Sequence, residues 1–138
     1  MTLKRIDQLI EALKDESYKP KPARRAYIPK KNGKKRPLGV QSFDDKLLQE
    51  VVRMVLESIY EDDFEDCSCG FRPGRSCHTA LQYIQKRFTG ARWFIEGDIK
   101  GFFDNIDHET LIRIMEKRIH DERFLRLIRK FLNDFYSL

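Results

Sequence analysis

No apolar run in this sequence approaches membrane-spanning length, and no secretory signal opens it. The expectation is a protein without a membrane role, of the cytoplasmic type. Cysteine is scarce: Cys67, Cys69 and Cys77 are the three present. A small, odd number excludes a disulfide framework and leaves reduced thiols as the expectation. Zinc is disfavoured too, because Cys-x-Cys is narrower than the usual knuckle and His78 directly follows Cys77. Internal repeats, low-complexity tracts and a domain linker are also missing. One stretch lacks acid entirely. From Lys19 to Arg36 there are nine Lys and Arg residues and no Asp or Glu. Acids gather instead at Asp44-Asp45, from Glu57 to Asp66, and from Glu96 to Glu109.

What is present suffices for one ordinary domain. The chain has 138 residues, 41% of them hydrophobic, enough to bury a core. A net charge of +5 favours a polyanionic partner, with the acid-free stretch as its contact.

Local patterns predict a helix-rich α+β chain. Thr2 to Glu16 reads as a helix capped by Thr2, with Ile6, Leu9, Ile10 and Leu13 on one face. Tyr18 to Pro22 carries two prolines and reads as an extended connector. Arg25 to Lys30 and Lys35 to Val40 flank Lys31-Asn32-Gly33-Lys34, the pattern of a β-hairpin with an Asn-Gly type I′ turn. A second helix opens at Asp44 or Asp45 and lines up Leu48, Val51, Val52, Val55 and Ile59. Ser76 should cap a third, running to about Phe88, with Cys77, Ala80, Leu81, Ile84 and Phe88 inward. Trp93 to Asp98 reads as a strand. Asp107 should cap a fourth helix, and a fifth begins near Asp121.

Three stretches carry candidate chemistry. In Glu96-Gly-Asp98-Ile-Lys-Gly-Phe-Phe-Asp104-Asn-Ile-Asp107-His108, Asp98 stands at the end of the predicted strand, with Gly97 and Gly101 leaving room beside it. A carboxylate held there suits Mg²⁺, and polymerases use carboxylates to hold two such ions about 4 Å apart. A strand, an acidic turn and a capped helix account for the same spacing without chemistry. The basic hairpin suits phosphate, but solvated charges on an edge hairpin are also a common device against edge pairing. In the Gly70-Phe71-Arg72-Pro73-Gly74-Arg75 loop, Phe71 could meet a base or sugar, but an isolated loop aromatic reads first as a plug in the core. Tyr60-Glu61-Asp62-Asp63 imitates a paired-aspartate polymerase box, yet it continues a helical pattern and precedes Asp98 by more than thirty residues, so it reads as a solvated helix end.

Together these stretches resemble the group II intron-encoded reverse transcriptases. Trp93 to His108 is similar to the family's first palm motif, Tyr27 to Gly39 to its fingers hairpin, and Ser68 to His78 to its second conserved block. The order matches, and the likeness runs from about Tyr18 to Phe131. Val40-Gln41 and Cys69 depart from the family's usual residues. The resemblance implies a right-hand polymerase fold, with residues 1–90 as fingers and 91–138 as the first part of the palm. It implies RNA-directed DNA polymerase activity: a DNA primer extended on an RNA template from dNTP, with Mg²⁺, alongside binding of intron RNA. By the same resemblance Asp98 and the backbone carbonyl of Ile99 hold metal, and Phe103 gates against ribonucleotides. Lys30 and Arg36 contact the triphosphate of the incoming dNTP, while Arg24, Arg25, Lys34, Lys35, Arg72 and Arg75 contact nucleic acid. The family's paired-aspartate hairpin and thumb have no counterpart here, so residues 1–138 by themselves are expected to be inactive. Alternatives within the resemblance are an RNA-binding splicing scaffold, or a reverse transcriptase serving a CRISPR-associated or diversity-generating element. Oligomeric state is not legible.

Overall fold

Apolar residues three and four apart govern most of the chain, and the computed structural model, which describes residues 2–29 and 33–134, is accordingly helical. In order the elements are α1 (Leu3–Lys14), β1 (Arg24–Pro29), β2 (Lys35–Val40), α2 (Phe43–Tyr60), a 3-10 turn (Glu61–Asp63), α3 (Cys77–Arg87), α4 (Phe102–Asn105), α5 (His108–Glu116) and α6 (Glu122–Asp134). This is the helix-rich α+β arrangement with a hairpin that the patterns predict. The chain divides into two compact units, Met1–Val52 with Phe103–Leu138, and Arg53–Phe102.

The first unit holds the core. Tyr18, Leu48, Val52, Ile112, Met115, Ile119, Leu125, Ile128 and Phe131 are its buried apolar residues. Helices α5 and α6 pack on each other, and both start on side-chain caps. Asp107 accepts from the Thr110 amide at 2.7 Å, and Asp121 accepts from the Arg123 and Phe124 amides at 2.9 and 3.1 Å. Such caps contribute about 1 kcal/mol each. Thr2 takes the cap position of α1 but makes no side-chain cap bond, unlike the expectation. The far end of α1 is secured to α6. The backbone turns through Glu16 at φ 59°. The Glu16 carboxylate meets Arg126 at 2.8 Å and Arg123 at 3.2 Å, and the Arg126 hydrogen bond holds it below the ordinary carboxylate range. Lys130 donates to the carbonyls of Glu16 and Tyr18, placing a cation at the helix's negative end.

The hairpin pairs antiparallel from Arg24↔Val40 to Pro29↔Lys35. That register leaves residues 30–34 between the last pair. Asn32 of the expected Asn-Gly turn lies outside the described residues, as do Lys30 and Lys31. Gly33 does carry the positive φ, +76°, that favours glycine.

No described residue of the second unit is buried, and expectations for α3, for part of α2 and for residues 93–98 are not met. Ser76 caps α3, with a reciprocal capping box to Thr79, but Cys77 is exposed, as are Leu81, Ile84 and Phe88. An amphipathic stripe is buried only if something packs on it, and within this unit Leu81 and Ile84 stay exposed. Along α2, Leu48 and Val52 are buried while Val51 and Val55 are exposed, so only part of the predicted apolar face is covered. Residues 91–99 form no strand. Extended backbone becomes a strand only through a partner's hydrogen bonds, and the described pairing is confined to β1 and β2. Phe94 instead lies with its ring 6.4 Å from that of Phe88.

Candidate functional site

Paired residues of an antiparallel ladder point to the same side, and neighbours along a strand alternate. The register therefore sorts the basic residues of the hairpin. Arg24 and Arg36 share one face with Ala26, Ile28, Leu38 and Val40, and Arg25 and Lys35 share the other with Tyr27. Arg24, Arg25, Lys34, Lys35 and Arg36 are all exposed. Lys30, the other residue expected at a triphosphate, lies outside the described residues, as do Lys31 and Asn32.

The hairpin stands on one buried carboxylate. Asp45, in the first turn of α2, is 2% exposed. It accepts from the Tyr18 hydroxyl, from the Ser42 hydroxyl and from the Lys21 amide at 3.3 Å. Its own amide donates to Ser42 Oγ at 3.2 Å. Beside it Asp44, also buried, meets Arg5 at 2.8 Å and Lys21 Nζ at 3.8 Å. The Arg5 hydrogen bond holds Asp44 below the ordinary carboxylate range, against the opposing effect of burial. Sequence reasoning took this acidic pair only as a helix start. Ser42 three residues before Asp45 was the available signal, since it marks a capped turn.

In the second unit the Gly70 to Arg75 loop is organised by Arg72, whose side chain is only 9% exposed. Its guanidinium donates to the Glu61 carboxylate at 3.0 Å and to the carbonyls of Glu61, Glu65 and Ser68 at 3.1, 2.9 and 3.2 Å. It also lies 5.3 Å from the centre of the Phe64 ring. Arg75 donates to the Asp66 carbonyl at 3.0 Å and to its carboxylate at 3.3 Å. Both arginines are thus engaged within the loop. Phe71 is not a core plug: it is fully exposed, at φ 56°, a conformation non-glycine residues seldom adopt. Tyr60 ends α2, and Glu61 to Asp63 form the 3-10 turn. These residues are helical, not the strand-turn-strand setting of a polymerase box.

Asp98 is exposed in a stretch without regular secondary structure, and a Cβ built on neighbouring Gly97 would meet nothing within 4 Å. Ile99 is exposed beside it. Carboxylate and carbonyl oxygens suit a hard cation such as Mg²⁺, so the two fit one corner of a metal site. Among the described residues no three His, Cys, Asp or Glu side chains gather to hold a metal. Phe103, in α4, is exposed and belongs to the first unit, while Asp98 belongs to the second. No helix among the described residues is long and apolar enough to cross a membrane.

Comparison with known proteins assigns the family. The model for reverse transcriptase (RNA-dependent DNA polymerase) matches residues 28–137. The group II intron-encoded protein LtrA of Lactococcus lactis subsp. cremoris is 60% identical over 133 residues, covering 96% of this chain and 22% of that protein. An uncharacterized 91 kDa protein in a cob intron of Schizosaccharomyces pombe is 52% identical over 136 residues, 99% of this chain and 17% of that protein. Protein YkfC of Escherichia coli is 42% identical over 130 residues, 88% of this chain and 34% of that protein. The chain thus spans about a fifth of the length of the first two. It belongs to the reverse transcriptase (RNA-dependent DNA polymerase) family.

Proposed function

We propose that the chain supplies the fingers, residues 1–90, and the first part of the palm, residues 91–138, of an RNA-directed DNA polymerase that extends a DNA primer on an RNA template and binds intron RNA. The observation that carries this reading is the family match over residues 28–137, a span that takes in β2, the Arg72 loop and Asp98. An RNA partner and three free thiols fit an intracellular protein of the cytoplasmic type.

Reverse transcriptases as a family use divalent metal. Asp98, with the carbonyl of Ile99, would hold one side of a Mg²⁺ site, where bound metal supplies activation of the primer hydroxyl and stabilisation of the leaving oxygen. The remaining roles belong to the chain's own residues. Arg36 presents a fork of N–H donors to the triphosphate of the incoming nucleotide, and Lys30 supplies a point charge to the same group. Phe103 sets the space allowed at the sugar. Arg24, Arg25, Lys34 and Lys35 neutralise template and intron phosphates on the two hairpin faces. Arg72 holds the shape of its loop, Arg75 lies at its edge toward phosphate, and the exposed Phe71 ring offers a face to a template base.

The test is primer extension by the full-length protein with an RNA template, dNTP and Mg²⁺. Asp98→Ala should abolish extension while leaving RNA affinity intact. Extension that survives Asp98→Ala overturns the metal assignment. RNA binding without any extension by the unaltered protein moves the reading to a splicing scaffold.

A further inference from the structure

The hairpin is expected to carry nucleotide contacts, yet it buries nothing of its own. Every residue of β1 and β2 is exposed except Ala26 and Val40, which are half-buried. The ladder fixes one strand against the other but not the direction in which the pair points, so that direction must be set where the chain enters and leaves. Both of those places converge on Asp45. Tyr18 and Lys21 lie on the connector that leads into β1 at Arg24, and Ser42 lies just past the end of β2 at Val40. All three donate to the one carboxylate. Asp45 is itself on α2, and Tyr18 lies with its ring 6.1 Å from Phe131 of the α6 core. The carboxylate therefore joins both feet of the hairpin to the packed part of the first unit. Its acceptor capacity suits this: an ionised carboxylate offers about four acceptor sites on two oxygens and no donor, against two on an amide or hydroxyl oxygen.

Leverage makes the joint consequential. Arg36 pairs with Ile28, four residues along from the foot pair Arg24↔Val40, a distance of about 13 Å at the usual strand rise. A tilt of about 10° at the feet would displace Arg36 by about 2 Å, well beyond what a phosphate hydrogen bond tolerates.

We propose that Asp45 is a positioning residue for the incoming nucleotide, acting through the hairpin by fixing Tyr18, Lys21 and Ser42 to the start of α2. This rests on the polymerase reading and on the placement of Arg36 at the triphosphate. The experiment uses the full-length protein and four variants: Tyr18→Phe, which removes one donor and keeps the ring, Asp45→Asn, Arg36→Ala, and the Tyr18→Phe/Arg36→Ala pair. KM for dNTP, kcat, Kd for primer–template and melting temperature are measured for each. Tyr18→Phe and Asp45→Asn should raise KM for dNTP about 5- to 50-fold and leave primer–template Kd within about twofold. The double variant should be little worse than Arg36→Ala alone, because a mis-aimed hairpin has already lost that contact. Unchanged KM in Tyr18→Phe and Asp45→Asn, with KM raised in Arg36→Ala, overturns the anchor and leaves the hairpin's nucleotide role standing. So does a raised KM in Tyr18→Phe that adds independently to the Arg36 effect. Arg36→Ala with unaltered KM overturns the nucleotide role of the hairpin, and the anchor with it.

Discussion

Replacing Arg72 by alanine should loosen the loop between α2 and α3 without unfolding the helices. The guanidinium is the common donor for four carbonyls, those of Glu61, Phe64, Glu65 and Ser68, and for the Glu61 carboxylate. Hydrogen bonds to a charged group contribute about 1.5 to 3 kcal/mol each. They do not add, and the freed carbonyls lie near enough to the surface to rehydrate. A net local cost of about 2 to 3 kcal/mol follows, which corresponds to roughly 30- to 150-fold more frequent opening. The Ser68 amide, bonded to the Glu65 carbonyl at 2.9 Å, and the Arg75 amide, bonded to the Arg72 carbonyl at 3.3 Å, are the reporters. Hydrogen exchange read by mass spectrometry should show that loss of protection in peptides spanning 61–76, with little change in α5 and α6. Arg72→Lys should recover only a minor part, since a point charge cannot reach the same set of acceptors. Unchanged exchange at Ser68 and Arg75 in Arg72→Ala would show that the backbone holds the loop by itself.

Further outcomes follow from the same geometry. Asp44 is held below the ordinary carboxylate range by Arg5. Its contribution is therefore complete above the unfolded value near 4 and is lost as pH falls through the lowered folded value; helix content followed by circular dichroism across that acid range should fall less steeply in Asp44→Asn, and identical slopes would refute the linkage. Phe103→Ala in the full-length protein should admit ribonucleotides, and unchanged sugar discrimination with DNA synthesis intact would remove Phe103 from the nucleotide site. RNA affinity should fall steeply with salt and less steeply once Arg24, Arg25 and Lys35 are replaced by alanine, because each phosphate neutralised releases counterions; a flat salt response would sink the electrostatic account.

The features legible in the sequence were those that close over a few residues. Asp107 and Ser76 cap their helices through amides three positions on, so the pattern alone contains the interaction. The hairpin was legible as two strands, which pair antiparallel from Arg24↔Val40 to Pro29↔Lys35. What failed was non-local. Trp93 to Asp98 has strand composition, yet composition cannot say whether a partner lies beside it. The apolar stripe of α3 predicts a buried face only when another element supplies the cover. Arg72 has the residue type of a phosphate reader, and only the course of the preceding loop shows its donors turned inward to Glu61, Glu65 and Ser68. Asp45 was hidden for the same reason: its donors Tyr18 and Lys21 lie 27 and 24 residues away.

The chain's one tryptophan, Trp93, sits in the exposed stretch of residues 91–99 that forms no helix or strand, 90% accessible. An indole so placed is already in water, so its emission should be red-shifted in the folded chain and should scarcely move when the α5–α6 core melts. Intrinsic fluorescence would then register events at the Trp93 strip, such as another strand or a nucleic acid covering it, and would be nearly blind to global unfolding. A melt followed by fluorescence and one followed by helix content would disagree for this chain. Their disagreement would reflect where the chromophore stands and would not indicate an intermediate.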